Sequence, residues 1–102
     1  MSKIKVIIKK PEDSYGEITT IENELKDLQT IVEGYIEVFP IDSNTIIICN
    51  EEGKLMNLPT NMIINNEVIT GTIIVASSEG ENFGDIKITE EEWKKIVDKG
   101  GL

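Results

Sequence analysis

The stretch ICNEEGKLMNLPTN, residues 48–61, gathers a thiol, two carboxylates, an ammonium group and three asparagine amides within fourteen positions. Three kinds of chemistry would use such groups. A cysteine attacks as its thiolate, which requires a nearby cation or helix N-terminus to lower its pKa. Cys49 instead closes the apolar run TIIIC, where a small buried side chain is expected. Two carboxylates, such as Glu37 and Glu51, can perform general acid–base work or hold Mg²⁺ through hard oxygen ligands. No spacing in the sequence selects that pair. The third chemistry is recognition without turnover, in which Glu37, Asn50, Glu51, Lys54 and Asn61 offer donors and acceptors to a small polar ligand or a protein partner. A plainer reading competes with all three. NEEG fits a type I turn closed by a glycine tolerant of positive φ, KLM then begins a short return strand, and the charged side chains are simply solvated.

What the chain lacks restricts it further. It has no histidine, and all ten of its basic residues are lysine. Zinc sites draw on clustered thiolate and imidazole ligands, so one cysteine without histidine argues against zinc, and a histidine-dependent triad is excluded. A non-enzyme with no cofactor and no metal is therefore the expectation. The net charge of −9 opposes direct nucleic-acid binding, because phosphate contacts need clustered Lys or Arg. Acidity has an opposite use: carboxylates in a phosphate-spaced band can occupy the basic groove of a DNA-handling enzyme. Glu79, Glu81, Asp85, Glu90, Glu91 and Glu92 form an acid-rich stretch interrupted by Lys87, while lysines gather near the start. Such a mimic needs these acids to join Glu51 and Glu52 on one face. Solubility and a helix start explain them more simply.

A chain of 102 residues, 39% hydrophobic and 28% charged, suits one domain over residues 1–102 with one modest core. No apolar run approaches the roughly 18 residues of a membrane span, and MSKIKVIIKKPED carries no cleavage signal. Together with a single cysteine, this leads to the expectation of a cytoplasmic protein without membrane contact.

The elements that must position these groups follow from patterning. KIKVIIKK, residues 3–10, reads as a strand ended by Pro11, and EITTI, residues 17–21, as its hairpin partner. Leu25, Leu28, Ile31 and Val32 recur at helical spacing, with Asn23 as cap and Gly34 as left-handed terminator; Leu25, Leu28 and Val32 are expected to face the core. YIEVFPI, 35–41, and TIIICN, 45–50, flank DSN as an antiparallel hairpin. MII, 62–64, and EVITGTIIVAS, 67–77, surround an Asn65–Asn66 turn, with Gly71 marking a bulge or a close backbone approach. SSEGENFGD reads as a polar loop whose Phe83 is a core anchor or an exposed ligand contact. In ITEEEWKKIVDKGG, Thr89 and Glu92 form a capping box, Ile88 and Trp93 have staple spacing, Ile96 and Val97 face a sheet, and Gly100 stops the helix. The result is an α+β domain: a mainly antiparallel sheet of about five or six strands with two helices. Its edge strands and surplus apolar residues make a homodimer reasonable.

Residues 21–83 resemble the domain of unknown function 3846 family, found in bacteria, their phages and mobile elements. The likeness rests on LQTIVEGYIEV, then ICNEEGKLMNLPTN, then IxGTIIV and Phe83. The absence of arginine and the lysine-rich first strand depart from the family pattern. The resemblance implies a bacterial cytoplasmic setting and phage or prophage origin, and it brings no catalytic assignment. Recurrent polar positions of the family correspond to Glu37, Asn50, Glu51, Gly53, Lys54 and Asn61. The leading expectation is a small accessory protein that binds a host protein or a small polar ligand, the countering of host defence being one such role. The alternative is the acidic nucleic-acid mimic.

Overall fold

The computed structural model describes residues 2–100; the first residue and the last two of the expected domain lie outside it. The alternating β-branched residues of Lys3–Lys9 (β1) pair antiparallel with Glu17–Glu22 (β2), placing Ile4 opposite Ile21 and Ile7 opposite Ile18. A short helix, Leu25–Val32 (α1), leads into the hairpin of Ile36–Pro40 (β3) and Ile46–Asn50 (β4). Thr60–Ile64 (β5) and Glu67–Thr70 (β6) form a second hairpin. Its Asn65 and Asn66 have φ of 49° and 67°, the left-handed pair that a two-residue primed turn demands. Ile73–Glu79 (β7), Asn82–Gly84 (β8) and the helix Glu90–Gly100 (α2) follow.

The main sheet has the order β2-β1-β7-β4-β3, with β8 also pairing β7, and every pairing is antiparallel. The fold is α+β. β7 is central because its run Ile73–Ser77 is buried throughout, Val75 lying between Ile7 and Ile47. Past that point β8 takes over the flank of β7. The diverging start of β1 is held instead by Lys5, whose N–H donates to Asp85 Oδ1 at 2.7 Å and whose carbonyl accepts from Ile86 N at 2.9 Å.

Continuous apolar runs in β4 and β7 reflect burial on both faces of the sheet. One face carries Ile4, Val6, Ile46, Ile48, Ile74 and Ala76 against Leu28 and Val32 of α1. The other carries Ile7, Ile47, Cys49, Ile73 and Val75 against the β5–β6 hairpin and Trp93 of α2. The expected single core is thus two, divided by the sheet. The Trp93 indole N–H donates to the Tyr15 carbonyl at 2.7 Å, fastening α2 to the β1–β2 loop.

Several local expectations are corrected. Leu25 is 58% exposed: the helix has eight residues, and only Leu28 and Val32 are fully buried. Glu24, not Asn23, occupies the N-cap position, and Asn23 instead donates to the Phe83 carbonyl at 3.0 Å. The left-handed residue after α1 is Glu33, at φ 67°, one position before Gly34. Gly71, at φ 78°, does more than bulge a strand: it splits residues 67–77 between two sheets. SSEGENFGD is largely the β7–β8 hairpin, and Phe83 is half-buried against the α1-side core. The capping box is present as expected, with Thr89 N to Glu92 Oε1 at 2.8 Å and Glu92 N to Thr89 Oγ1 at 3.0 Å. Ile88, Trp93, Ile96 and Val97 join the second core. Gly100 is the last described residue of α2, and a side chain there would strike the Ile63 carbonyl.

Candidate functional site

Asn50, the last residue of β4, is 5% exposed and all of its polar atoms are engaged. Its amide N–H donates to the Val32 carbonyl at 3.0 Å, satisfying one of the free acceptors at the end of α1. Its Oδ1 accepts from Glu52 N at 2.7 Å, and its amide also lies 3.6 Å from Met56 Sδ. One side chain therefore couples the helix end to the segment after β4.

That segment is a helical turn, not the expected hairpin turn with a KLM return strand. Met56 N bonds Glu52 O at 2.9 Å, Leu58 N bonds Gly53 O at 2.9 Å and Asn57 N bonds Lys54 O at 3.2 Å. With Asn57 at φ 57°, this is the Schellman closure of a helix C-terminus. Gly53 has no positive φ; it is required because a Cβ there would collide with the Thr70 hydroxyl. The absence of that side chain lets the turn press against β6.

A groove of about 200 Å³ lies between the turn, β6 and the end of the β3–β4 hairpin. Glu37, Asn50, Glu51 and Lys54 all line it, joined by Glu52 and Glu67. Phe39, Cys49 and Ile69 supply apolar wall, and Leu55 stands at its edge 83% exposed. Four exposed carboxylates face one exposed ammonium, so the groove favours cationic groups. Its floor holds Cys49, whose thiol is pushed up to about 11 by burial and secondarily by the charge of Glu37. The thiol is protonated at neutral pH and lies 3.7 Å from the Glu37 carbonyl. Among the described residues no three carboxylate or thiol groups lie close enough together to hold a metal ion.

Asn61 does not line this groove. Its amide donates to the carbonyls of Lys9 (2.8 Å) and Gly71 (2.7 Å), while its Oδ1 accepts from the Lys9 ammonium at 2.8 Å. It is a tie between the two sheets. Conversely, Glu67, Val68 and Thr70 enter the groove from a hairpin remote in sequence. Only the Asn65–Asn66 turn announced that hairpin, and no local signal aimed it here.

The first part of the acid-rich stretch lies elsewhere. Ile48 pairs with Ile74 and Ile46 with Ala76, so Glu51 and Glu52 sit beyond the start of β7 while Glu79 lies at its end. Seven strand residues separate those ends by roughly 23 Å. Glu79 pairs with Lys87 at 3.4 Å, and Asp85 and Glu92 bond backbone N–H groups. Glu79 and Asp85 therefore do not join Glu51 and Glu52 in one band.

The family model described as domain of unknown function (DUF3846) matches residues 4–99, beyond the 21–83 recognised from motifs. No curated protein and no solved structure matches the chain. No helix among the described residues is long and apolar enough to cross a membrane.

Proposed function

The chain belongs to the DUF3846 family, and on that premise we propose that it is a non-catalytic binding protein whose groove engages a host protein or a small polar ligand. The proposal places it in a bacterial cytoplasm as a phage or prophage accessory protein. One observation carries the reading: Glu37, Asn50, Glu51 and Lys54, from a strand, a strand end and a turn, converge on one groove. Asn50 and Gly53 fix that groove by hydrogen bonding and close packing, so its charges are presented on a rigid frame. The protonated, buried thiol and the lack of histidine favour recognition over turnover. The separation of Glu51 and Glu52 from Glu79, at the far end of β7, favours this reading over the nucleic-acid mimic.

The test is native mass spectrometry of tagged protein purified from a bacterial host, beside the double variant Glu37→Lys, Glu51→Lys. A species retained by the parent protein and lost from the folded variant supports the proposal. The same species retained equally by both contradicts it.

A further inference from the structure

Among the described residues, the groove is bordered by two strands that are each paired on one side only: β3 with β4, and β6 with β5. Glu51 N bonds the Tyr35 carbonyl and Ile41 N bonds the Thr45 carbonyl, so the odd-numbered residues of this hairpin arm direct their backbone groups toward β4. Ile36 and Val38 therefore direct their N–H and C=O groups outward, with Val38 itself 40% exposed. Pro40 ends the open edge because it has no N–H to offer. On β6, the two-residue turn makes Ile64 and Glu67 the bonded pair, which leaves Val68 with outward backbone groups.

Resting on the groove reading above, we propose that the occupant is an extended, basic segment of a partner protein that adds as a strand to the free edge of β3. Strand addition draws affinity from main-chain hydrogen bonds and specificity from alternate side chains. Here the alternate side chains on the groove face meet Glu37 and the other carboxylates, so lysine or arginine fits them. Those on the opposite face meet Ile36 and Val38 and suit small apolar residues. A second copy of the chain is the less suitable occupant. Each copy carries a net charge of −9 and would bring its own groove carboxylates against the other's.

The experiment titrates ¹⁵N-labelled protein with the capped peptide TKVKVKT, with TEVEVET, and with two N-methylated forms of the basic peptide, one methylated at its lysines and one at its valines. The expected result is that the basic peptide slows amide exchange of Ile36 and Val38 by about tenfold or more. The acidic peptide does not, and one N-methylated form loses the effect. The variant Glu37→Lys, Glu67→Lys, checked for fold by circular dichroism, loses it as well. Groove side-chain shifts without protection of Ile36 and Val38 overturn strand addition while leaving the groove reading intact. Binding of no peptide overturns it too, and the groove reading is then judged separately by the species retained from cells. Protection that grows with protein concentration alone assigns the edge to a second copy and likewise overturns it.

Discussion

Lys9 and Asn61 bond each other in both directions: the Lys9 ammonium donates to Asn61 Oδ1 at 2.8 Å, and the Asn61 amide donates to the Lys9 carbonyl at 2.8 Å. This reciprocal pair joins β1 of the main sheet to β5 of the small one. Lys9 is 2% exposed, so its charge has been withdrawn from water with an amide, rather than a carboxylate, as its nearest acceptor. Replacing Asn61 by Ala leaves that charge only the residue-61 carbonyl, at 3.3 Å, as acceptor and should cost about 2–4 kcal/mol, read from urea unfolding.

The same withdrawal makes stability depend on pH. Burial lowers the Lys9 pKa from 10.5, with the charge of Asp13 opposing the shift. Below its lowered folded value the penalty for the buried charge is fully present. As pH rises from that value toward 10.5, the folded state sheds its proton first and the penalty is relieved. The parent protein should therefore gain stability relative to Lys9→Met across that window, measured by unfolding both proteins at each pH. A constant difference would refute the linkage.

Gly53 and Thr70 should couple energetically. Gly53→Ala drives a methyl group into the Thr70 hydroxyl and is expected to cost about 1–3 kcal/mol. Adding Thr70→Ala removes the obstructing oxygen and should recover most of that loss. A double-mutant cycle of urea midpoints reads the coupling directly.

Cys49 should resist modification. With its pKa moved from 9.0 to about 11, the thiolate fraction at pH 8 falls by about a hundredfold. Burial slows attack further, so iodoacetamide alkylation of the folded protein should lag the denatured protein by at least about that factor. The sign for stability follows: the contribution is present below pH 9 and is lost as pH rises to about 11.

Thr89→Ala should cost about 1 kcal/mol by removing one half of the reciprocal cap of α2, whereas Thr89→Ser should cost only a few tenths. Thermal melts of the two variants separate these outcomes.

The capping box was legible in the sequence because it is local: both partners lie within one helical turn. The same holds for the β3–β4 hairpin and the Asn65–Asn66 turn, where three or four residues determine the geometry. What escaped the sequence was long-range. Lys9 and Asn61 lie 52 positions apart, and nothing near Asn61 distinguishes a tie between sheets from a groove ligand. β8 hid in a polar segment because a three-residue edge strand needs little apolar pattern. The 51–57 turn departs from its sequence pattern because a glycine suggests positive φ, whereas Gly53 is there for the close approach of Thr70 from another hairpin. Four of the five candidate residues still shared one groove, since Asn50, Glu51 and Lys54 are near neighbours and Glu37 lies opposite Cys49 in the register.

The central claim is that this groove is the binding face, and amide hydrogen exchange tests it most directly. Protein purified from a bacterial host would be compared before and after high salt releases whatever it carries. Protection lost on release should concentrate in residues 36–39, 50–55 and 67–70. Protection confined instead to the β1–β2 loop and the start of α2, or to the β7–β8 hairpin, would contradict the account.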